Sequence, residues 1–231
     1  MKNARENTKE RILRAALELF AREGYEAVGV AEIAEAVGVK APSLYKHYKG
    51  KRDIFDHILR RMEELDAEAA KACSLPTAPP GRDPEGYARA GVAELAAFAR
   101  RQFRFWTEDP FAAAFRRMLT VEQYRSAEMA ALYRAHLGAG PLEYTAAVLG
   151  SMEEAVAFYA PMHLLYAVHD ANPRHSGAAE LLDAHLAKWG GVASGRKRPG
   201  KNAAAPGKGR QTSPVRGKPK GGRGKKGGSG K

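Results

Sequence analysis

The stretch Val37–Phe55, VGVKAPSLYKHYKGKRDIF, carries five basic residues, Lys40, Lys46, Lys49, Lys51 and Arg52, and no acid before Asp53. Two readings compete for it. A short Lys-rich helix is ordinarily a solvated face, yet apolar and aromatic residues are interleaved here as though one side packed against something. The neighbouring sequence separates the two. Upstream, Val30, Ile33, Ala34 and Val37 fall at i, i+3, i+4 and i+7, which predicts a short helix opened by Gly29 and broken by Gly38. Pro42 suits the first turn of a following helix, where its missing N–H costs nothing. That helix is expected to run through Ser43, Leu44, Tyr45, Lys46, His47 and Tyr48 to Gly50. Two short helices across a Gly-containing turn form the helix-turn-helix pattern, whose second helix enters the DNA major groove.

The flanks complete a small bundle. Asn7 and Glu10 have capping-box spacing ahead of Ile12, Leu13, Ala16, Leu17, Leu19 and Phe20, a helical period that Gly24 ends. Another helix is expected from near Arg52 through Ile54, Phe55, Ile58, Leu59, Met62 and Leu65. The segment SLPTAPPGRDP (74–84) holds four prolines and reads as a linker. Beyond it, helices are expected over Tyr87–Thr107, over Phe111–Leu137 with a break inside it, over Leu142–His169 and over His175–Trp189. No strand-like alternation competes. The expected fold class is therefore all-α: a three-helix head over 1–60, a helical body over 61–190 and a tail over 191–231. The tail is Gly, Pro, Lys and Arg with almost nothing apolar, and is expected to be disordered because it cannot offset the entropy of ordering.

Charge sharpens that division. The chain has 231 residues and a net charge of +12, but 13 of its 38 Lys and Arg lie in 196–231, which contains no acid. Residues 1–195 thus balance 25 basic against 26 acidic side chains. The excess belongs to the tail, and any case for DNA recognition by the head rests on spacing and residue type. The single cysteine, Cys73, excludes an intrachain disulfide. No basic start followed by an apolar stretch, and no run of membrane length, is present at the N-terminus. The expectation is a cytoplasmic protein, associated with the nucleoid when on DNA, with no membrane partner.

Residues 8–59 resemble the DNA-binding head of the tetracycline-repressor (TetR) family. The resemblance is carried by Phe20, Gly24-Tyr25, Ile33-Ala34, Gly38-Val39, Leu44-Tyr45, His47-Tyr48 and Lys51. It implies that Tyr45 and His47 anchor phosphates and that Lys51 grips a phosphate at the start of the fourth helix, contacts that set affinity and register. Lys40, Ala41, Pro42 and Lys46 fall where family members reach base edges; a Lys can donate to guanine O6 or N7, while Ala or Pro can only touch a thymine methyl. Ser43 suits phosphate or base. Leu44 and Tyr48 are expected in the core with Phe20, Ile33, Val37 and Phe55. Three positions depart from the family pattern: Gly29 where Ser or Thr is usual, Lys40 where Ser is frequent, and Tyr48 where Phe is usual.

The resemblance also implies a helical body that encloses a ligand pocket and dimerises through its last two long helices, hence a homodimeric, ligand-responsive regulator, expected to be a repressor, of a palindromic double-stranded DNA operator. Candidate pocket residues are Phe103, Trp106, Tyr124, Phe158, Met162 and Tyr166, although aromatics at helical spacing also serve simply as core. An enzyme finds little support. No Gly-rich phosphate loop, nucleophile elbow or carboxylate pair is recognisable, and His163, His169, His175 and His185 are separated by 6, 6 and 10 residues, which fits no zinc-site spacing. No catalysis, metal or cofactor is expected. The alternative is a nonspecific nucleic-acid-binding or scaffold protein acting through the basic tail.

Overall fold

Helix α1 (Thr8–Glu23) turns Ile12, Ala16, Leu17 and Phe20 inward, each nearly inaccessible to solvent. In this computed structural model residues 8–71 and 84–192 are described. The expected Asn7 cap, Cys73, most of the Pro-rich linker and the basic tail lie outside the described residues. Among those described, every regular element is a helix, in agreement with the all-α expectation.

Gly24, with φ +94°, ends α1 and donates to Phe20 O. Helix α2 (Val30–Val37) starts at Gly29, which has no capping side chain; the compensation comes from Glu32, whose Oε2 accepts from Gly29 N at 2.6 Å. Gly38, at φ +74°, closes α2 with a left-handed cap. Helix α3 (Ala41–Leu44) is shorter than the sequence suggests. After Leu44 the chain tightens: Lys46 N donates to Ser43 O and His47 N to Leu44 O, three residues back rather than four. Leu44 and Tyr48 are buried, as expected. The Tyr48 hydroxyl that replaces a Phe edge donates to Lys9 O at 3.2 Å, and burial pushes its pKa up to about 12.

Helix α4 (Lys51–Lys71) closes the head with Ile54, Phe55, Ile58 and Met62, and runs without a break through the expected head–body division at residue 60. Burying one such side chain stabilises by roughly 1.5–3 kcal/mol, so this small cluster outweighs any single polar link around it.

The body comprises α5 (Pro84–Arg89), α6 (Val92–Glu108), α7 (Pro110–Glu122), α8 (Ala127–His136), α9 (Ala139–Leu149), α10 (Met152–Ala171) and α11 (Ala178–Val192). Two expected helices are each divided. The Tyr87–Thr107 helix breaks at Ala90–Gly91, where Glu94 Oε2 accepts from Gly91 N at 3.0 Å, the device seen at Gly29. The Leu142–His169 helix breaks because Gly150 (φ +88°) terminates α9 and the Ser151 hydroxyl accepts from Glu154 N to start α10. Asp109 caps α7 by accepting from Phe111 N and Ala112 N, both at 2.9 Å. Almost every residue of α7 from Phe111 to Leu119 is buried, which makes it the central helix of the body, and α1 packs directly along it.

Candidate nucleic-acid interface

The short α3 and the tightened turn after it place the expected contact residues in one continuous segment. Leu44 and Tyr48 anchor its inner side. Lys40, Pro42, Tyr45 and Lys46 are exposed, Tyr45 by 56%, while Ala41, Ser43 and His47 are half-buried. No acid occurs between Glu35 and Asp53. Among the described residues, Lys40, Lys46 and Lys49 form no ion pair, and the side chains of Tyr45 and His47 form no hydrogen bond. These donors and rings have no side-chain partner among the described residues.

Neighbouring cations are handled differently. Arg11 donates to Val37 O at 2.7 Å. Arg52 makes a two-pronged pair with Glu128 of α8, at 2.7 and 2.8 Å, and a further contact with Asp56. That hydrogen bond to Arg52 holds the Glu128 carboxyl below its usual range.

Lys51 is held within the head. Its ammonium donates to Tyr25 O at 2.9 Å and Glu26 O at 3.2 Å, lies 4.5 Å from the centre of the Tyr25 ring and sits 3.7 Å from the Glu26 carboxylate. The side chain is 23% exposed. It ties the α1–α2 turn to the start of α4, so in this structure its ammonium is engaged within the chain and is not turned out for a phosphate.

The six pocket candidates take different places in the body. A cavity of about 420 Å³ lies between α1, α7, α8 and α10, walled by Ala21, Thr120, Val121, Tyr133, His163 and Ala167. Arg116, Tyr166 and Asp170 also border it. Of the six aromatic and Met candidates, Tyr166 alone reaches it. Tyr124 is 85% exposed on the turn after α7 and is not among the residues that border this cavity. Phe103, Trp106, Phe158 and Met162 are buried as core: Phe103 stacks on Tyr166 at 5.3 Å and Phe158 meets Trp189 edge-on. A cavity persists where side chains are too small to fill it, which is why large aromatics mark packed space here.

The cavity wall is polar in an ordered way. Arg116, 3% exposed, donates to both carboxylate oxygens of Asp170 at 2.8 and 2.6 Å and to Trp106 O at 3.0 Å. Its guanidinium lies 4.7 Å over the Tyr166 ring. Burial lowers the His163 pKa below its ordinary value, offset in part by a backbone hydrogen bond at Leu137. Burial also pushes the Tyr166 phenol well up, so it stays protonated, and its oxygen has no hydrogen-bond partner among the described residues. No group of three His, Cys, Asp or Glu among the described residues is placed to hold a metal ion, and no helix there is long and apolar enough to cross a membrane.

Sequence reasoning missed Glu122 and Arg116. Glu122 is 2% exposed; it accepts from Tyr25 N at 3.2 Å and pairs with Arg125 at 2.8 Å. The signal was available: Phe111, Phe115, Met118 and Glu122 share one helix face, and an acid in a row of apolar residues requires a partner.

Comparison with known proteins agrees with this geometry. Residues 12–58 match the family of bacterial regulatory proteins of the tetR type. The HTH-type transcriptional repressor ComR of Escherichia coli (strain K12) is 40% identical over 63 residues, 27% of this chain and 29% of that protein. The HTH-type transcriptional activator FasR of Mycolicibacterium smegmatis is 39% identical over 57 residues, 25% of this chain and 26% of that one. The chain thus matches less than a third of the length of either relative. The crystal structure of the transcriptional regulator FadR from Bacillus subtilis, in complex with stearoyl-CoA, superposes on 81% of this chain and 98% of that one with a TM-score of 0.50 and 18% identity, a likeness of fold alone. Over residues 12–58 the head is thus similar to the tetR family of bacterial regulatory proteins, and the buried Leu44 and Tyr48 fall within that match.

Proposed function

We propose that this chain is a DNA-binding transcriptional regulator that reads a palindromic operator as a homodimer and releases it when a small molecule occupies the body. One observation carries the reading. The segment Lys40–Lys49 presents unpaired lysines and an exposed Tyr45 on a rigidly anchored turn, the arrangement that phosphates and base edges satisfy. Tyr45 and His47 serve as phosphate anchors and Lys40 and Lys46 as base readers, with Ala41, Pro42 and Ser43 between them.

The dimer is supported by apolar residues left exposed on the last two helices, Met152, Val156 and Leu164 of α10 and Leu181 of α11. Pairing of these helices with their copies in a second chain would bury those residues about a two-fold axis, and the two-fold would then dictate operator symmetry. Ligand response is supported by the cavity of about 420 Å³, within the usual range for small-molecule sites, and by a structural neighbour that holds stearoyl-CoA. Repression is the proposed sign. Similar heads occur in a named repressor and a named activator, so the sign is checked separately, by transcription in vitro from a promoter carrying the operator. The division of labour follows: 1–60 bind DNA, 61–190 bind ligand and dimerise, and the protein works in the cytoplasm.

A second reading rests on the 13 basic residues of 196–231. On that reading the tail binds nucleic acid without sequence preference and the protein acts as a scaffold. Competition separates the two: a regulator keeps its operator in excess nonspecific DNA. We propose that the tail adds salt-sensitive affinity while the head selects the site. Deleting 191–231 then flattens the dependence of binding on salt and leaves the preferred sequence unchanged. A changed sequence preference after deletion would contradict this assignment.

A further inference from the structure

We propose that a polar link anchored on the buried Glu122, Glu122–Tyr25–Lys51, carries the state of the cavity to the recognition segment. The proposal rests on the reading of the chain as a ligand-responsive DNA-binding regulator and names the residues that couple its two sites.

Both walls of the cavity that face the head run directly into this link. On α7, Thr120 and Val121 line the cavity and Glu122 is the next residue. On α1, Ala21 lines it and Tyr25 follows one turn later. The Glu122 carboxylate, 2% exposed, accepts from Tyr25 N at 3.2 Å. On the other side of the same residue, Tyr25 O accepts from Lys51 Nζ at 2.9 Å. Tyr25 is thus held by its N–H from the body and by its C=O from the first residue of α4, immediately after the segment Lys40–Gly50. Its ring is fixed between Phe20 at 5.0 Å and Phe55 at 5.2 Å, so the turn cannot swing free of the head core.

The close approach of α7 to this turn is built into the chain. Gly24 sits at φ +94°, a conformation that favours glycine, and a Cβ there would meet Arg125 Nη1 and stand 2.9 Å from Glu122 Oε1, so a larger residue would be strained and would push on both side chains. Other links between head and body exist, Arg52–Glu128 and Arg117–Glu18, but their side chains are 39–57% exposed and open to screening by salt. Glu122 is the buried one among them. Moving α7 against α1 to admit a ligand must therefore shift Glu122 relative to Tyr25, and through Lys51 the start of α4. The coupling is reciprocal: any occupant that favours one arrangement of the link changes DNA affinity, and DNA changes the affinity for that occupant.

Because coupling is a thermodynamic property, it can be tested with a substitution in place of the ligand. Ala167 of α10, itself exposed, borders the cavity, and Ala167→Phe sets a ring at that border in place of a methyl. Binding of a DNA sequence selected from a random pool, and of its scrambled form, is measured on the full chain for Ala167→Phe, Glu122→Ala and the double variant. Ala167→Phe is expected to weaken operator binding by about tenfold, and by less than about twofold when Glu122→Ala is also present. Two further variants guard against a merely structural effect. Glu122→Gln keeps an oxygen for the Tyr25 N–H and should restore the tenfold effect, and Lys51→Met should remove it while leaving the buried carboxylate intact. Equal loss in every background, or no loss from Ala167→Phe alone, overturns the link. If the unsubstituted chain binds selected and scrambled DNA alike, the regulator reading itself fails, an outcome distinct from selective binding with additive substitutions.

Discussion

The recognition segment and the α1–α7 seam treat charge in opposite ways. Along α7, Arg116 uses its guanidinium on Asp170 of α10 and on Trp106 O of α6, and at the seam with α1 Glu122 uses its carboxylate on Tyr25 N and Arg125. In Lys40–Lys49 three lysines stand without an acid to meet them. The difference teaches that pairing, more than the number of charges, separates groups that hold the fold from groups left open to solvent. A charge buried with its partner is costly to orphan, whereas an exposed unpaired lysine contributes almost nothing to folding.

The sharpest way to break this comparison is to remove one charge from each region. Arg116→Met leaves the Asp170 carboxylate and Trp106 O without their donor; the expected loss is about 3 kcal/mol of stability, read as a lower midpoint in urea unfolding. A loss below about 1 kcal/mol would show that the pair is no more than a surface bridge. Gly24→Ala comes next, at about 1–2 kcal/mol, because alanine is strained at a φ of +94° and its Cβ crowds the buried Glu122 carboxylate. The same unfolding experiment checks it, and an unchanged midpoint would mean that α7 yields easily at the seam. Lys46→Ala is expected to leave the midpoint within about 0.5 kcal/mol and to cost roughly 1–2 kcal/mol in operator binding, with altered preference at one operator position. Tyr45→Ala should weaken selected and scrambled DNA alike. Equal losses on both DNAs for Lys46→Ala would remove it from the base readers.

The smallest effect concerns pH. Burial depresses the His163 pKa in the folded chain, so the unfolded chain, titrating near 6.5, binds the proton first. The stability associated with neutral His163 is present above that unfolded value and is lost as pH falls through it. Thermal midpoints should drop as pH is lowered below about 6.5, and His163→Gln should flatten part of that slope. An identical slope in the variant would assign the acid sensitivity elsewhere.

Much of the head was legible because its apolar period and its glycine stops repeat the geometry of helices: α1, α2 and α4 lie where Ile12–Phe20, Val30–Val37 and Ile54–Met62 predict them. Two kinds of feature were less legible. One is the helix start that depends on a residue three places ahead. The tetrapeptide Gly-Val-Ala-Glu occurs at 29–32 and again at 91–94, and in both cases the Glu carboxylate returns to the Gly N–H and opens a helix; read as composition, Gly91 was only a glycine within a longer helical run. The other is the identity of partners across the fold. The period of α7 places Glu122 on an apolar face but cannot name Tyr25, 97 residues away, as the group that satisfies it. The cavity is the same problem in reverse. Its walls include Ala21, Thr120 and Ala167, small residues that draw no notice in a sequence, while Phe103 and Trp106 fill the space they occupy.

The measurement that tests the account most directly is selection of bound sequences from a random double-stranded DNA pool, run with the full chain and with the Lys40→Ala, Lys46→Ala double variant at the same salt concentration. The account predicts that the full chain enriches a palindrome whose half-sites lie about one helical turn apart, and that the double variant enriches it weakly or with altered bases. Absence of any enriched palindrome, or enrichment by the double variant of the same sequence to the same degree, would contradict the claim that the unpaired lysines of the recognition segment read DNA.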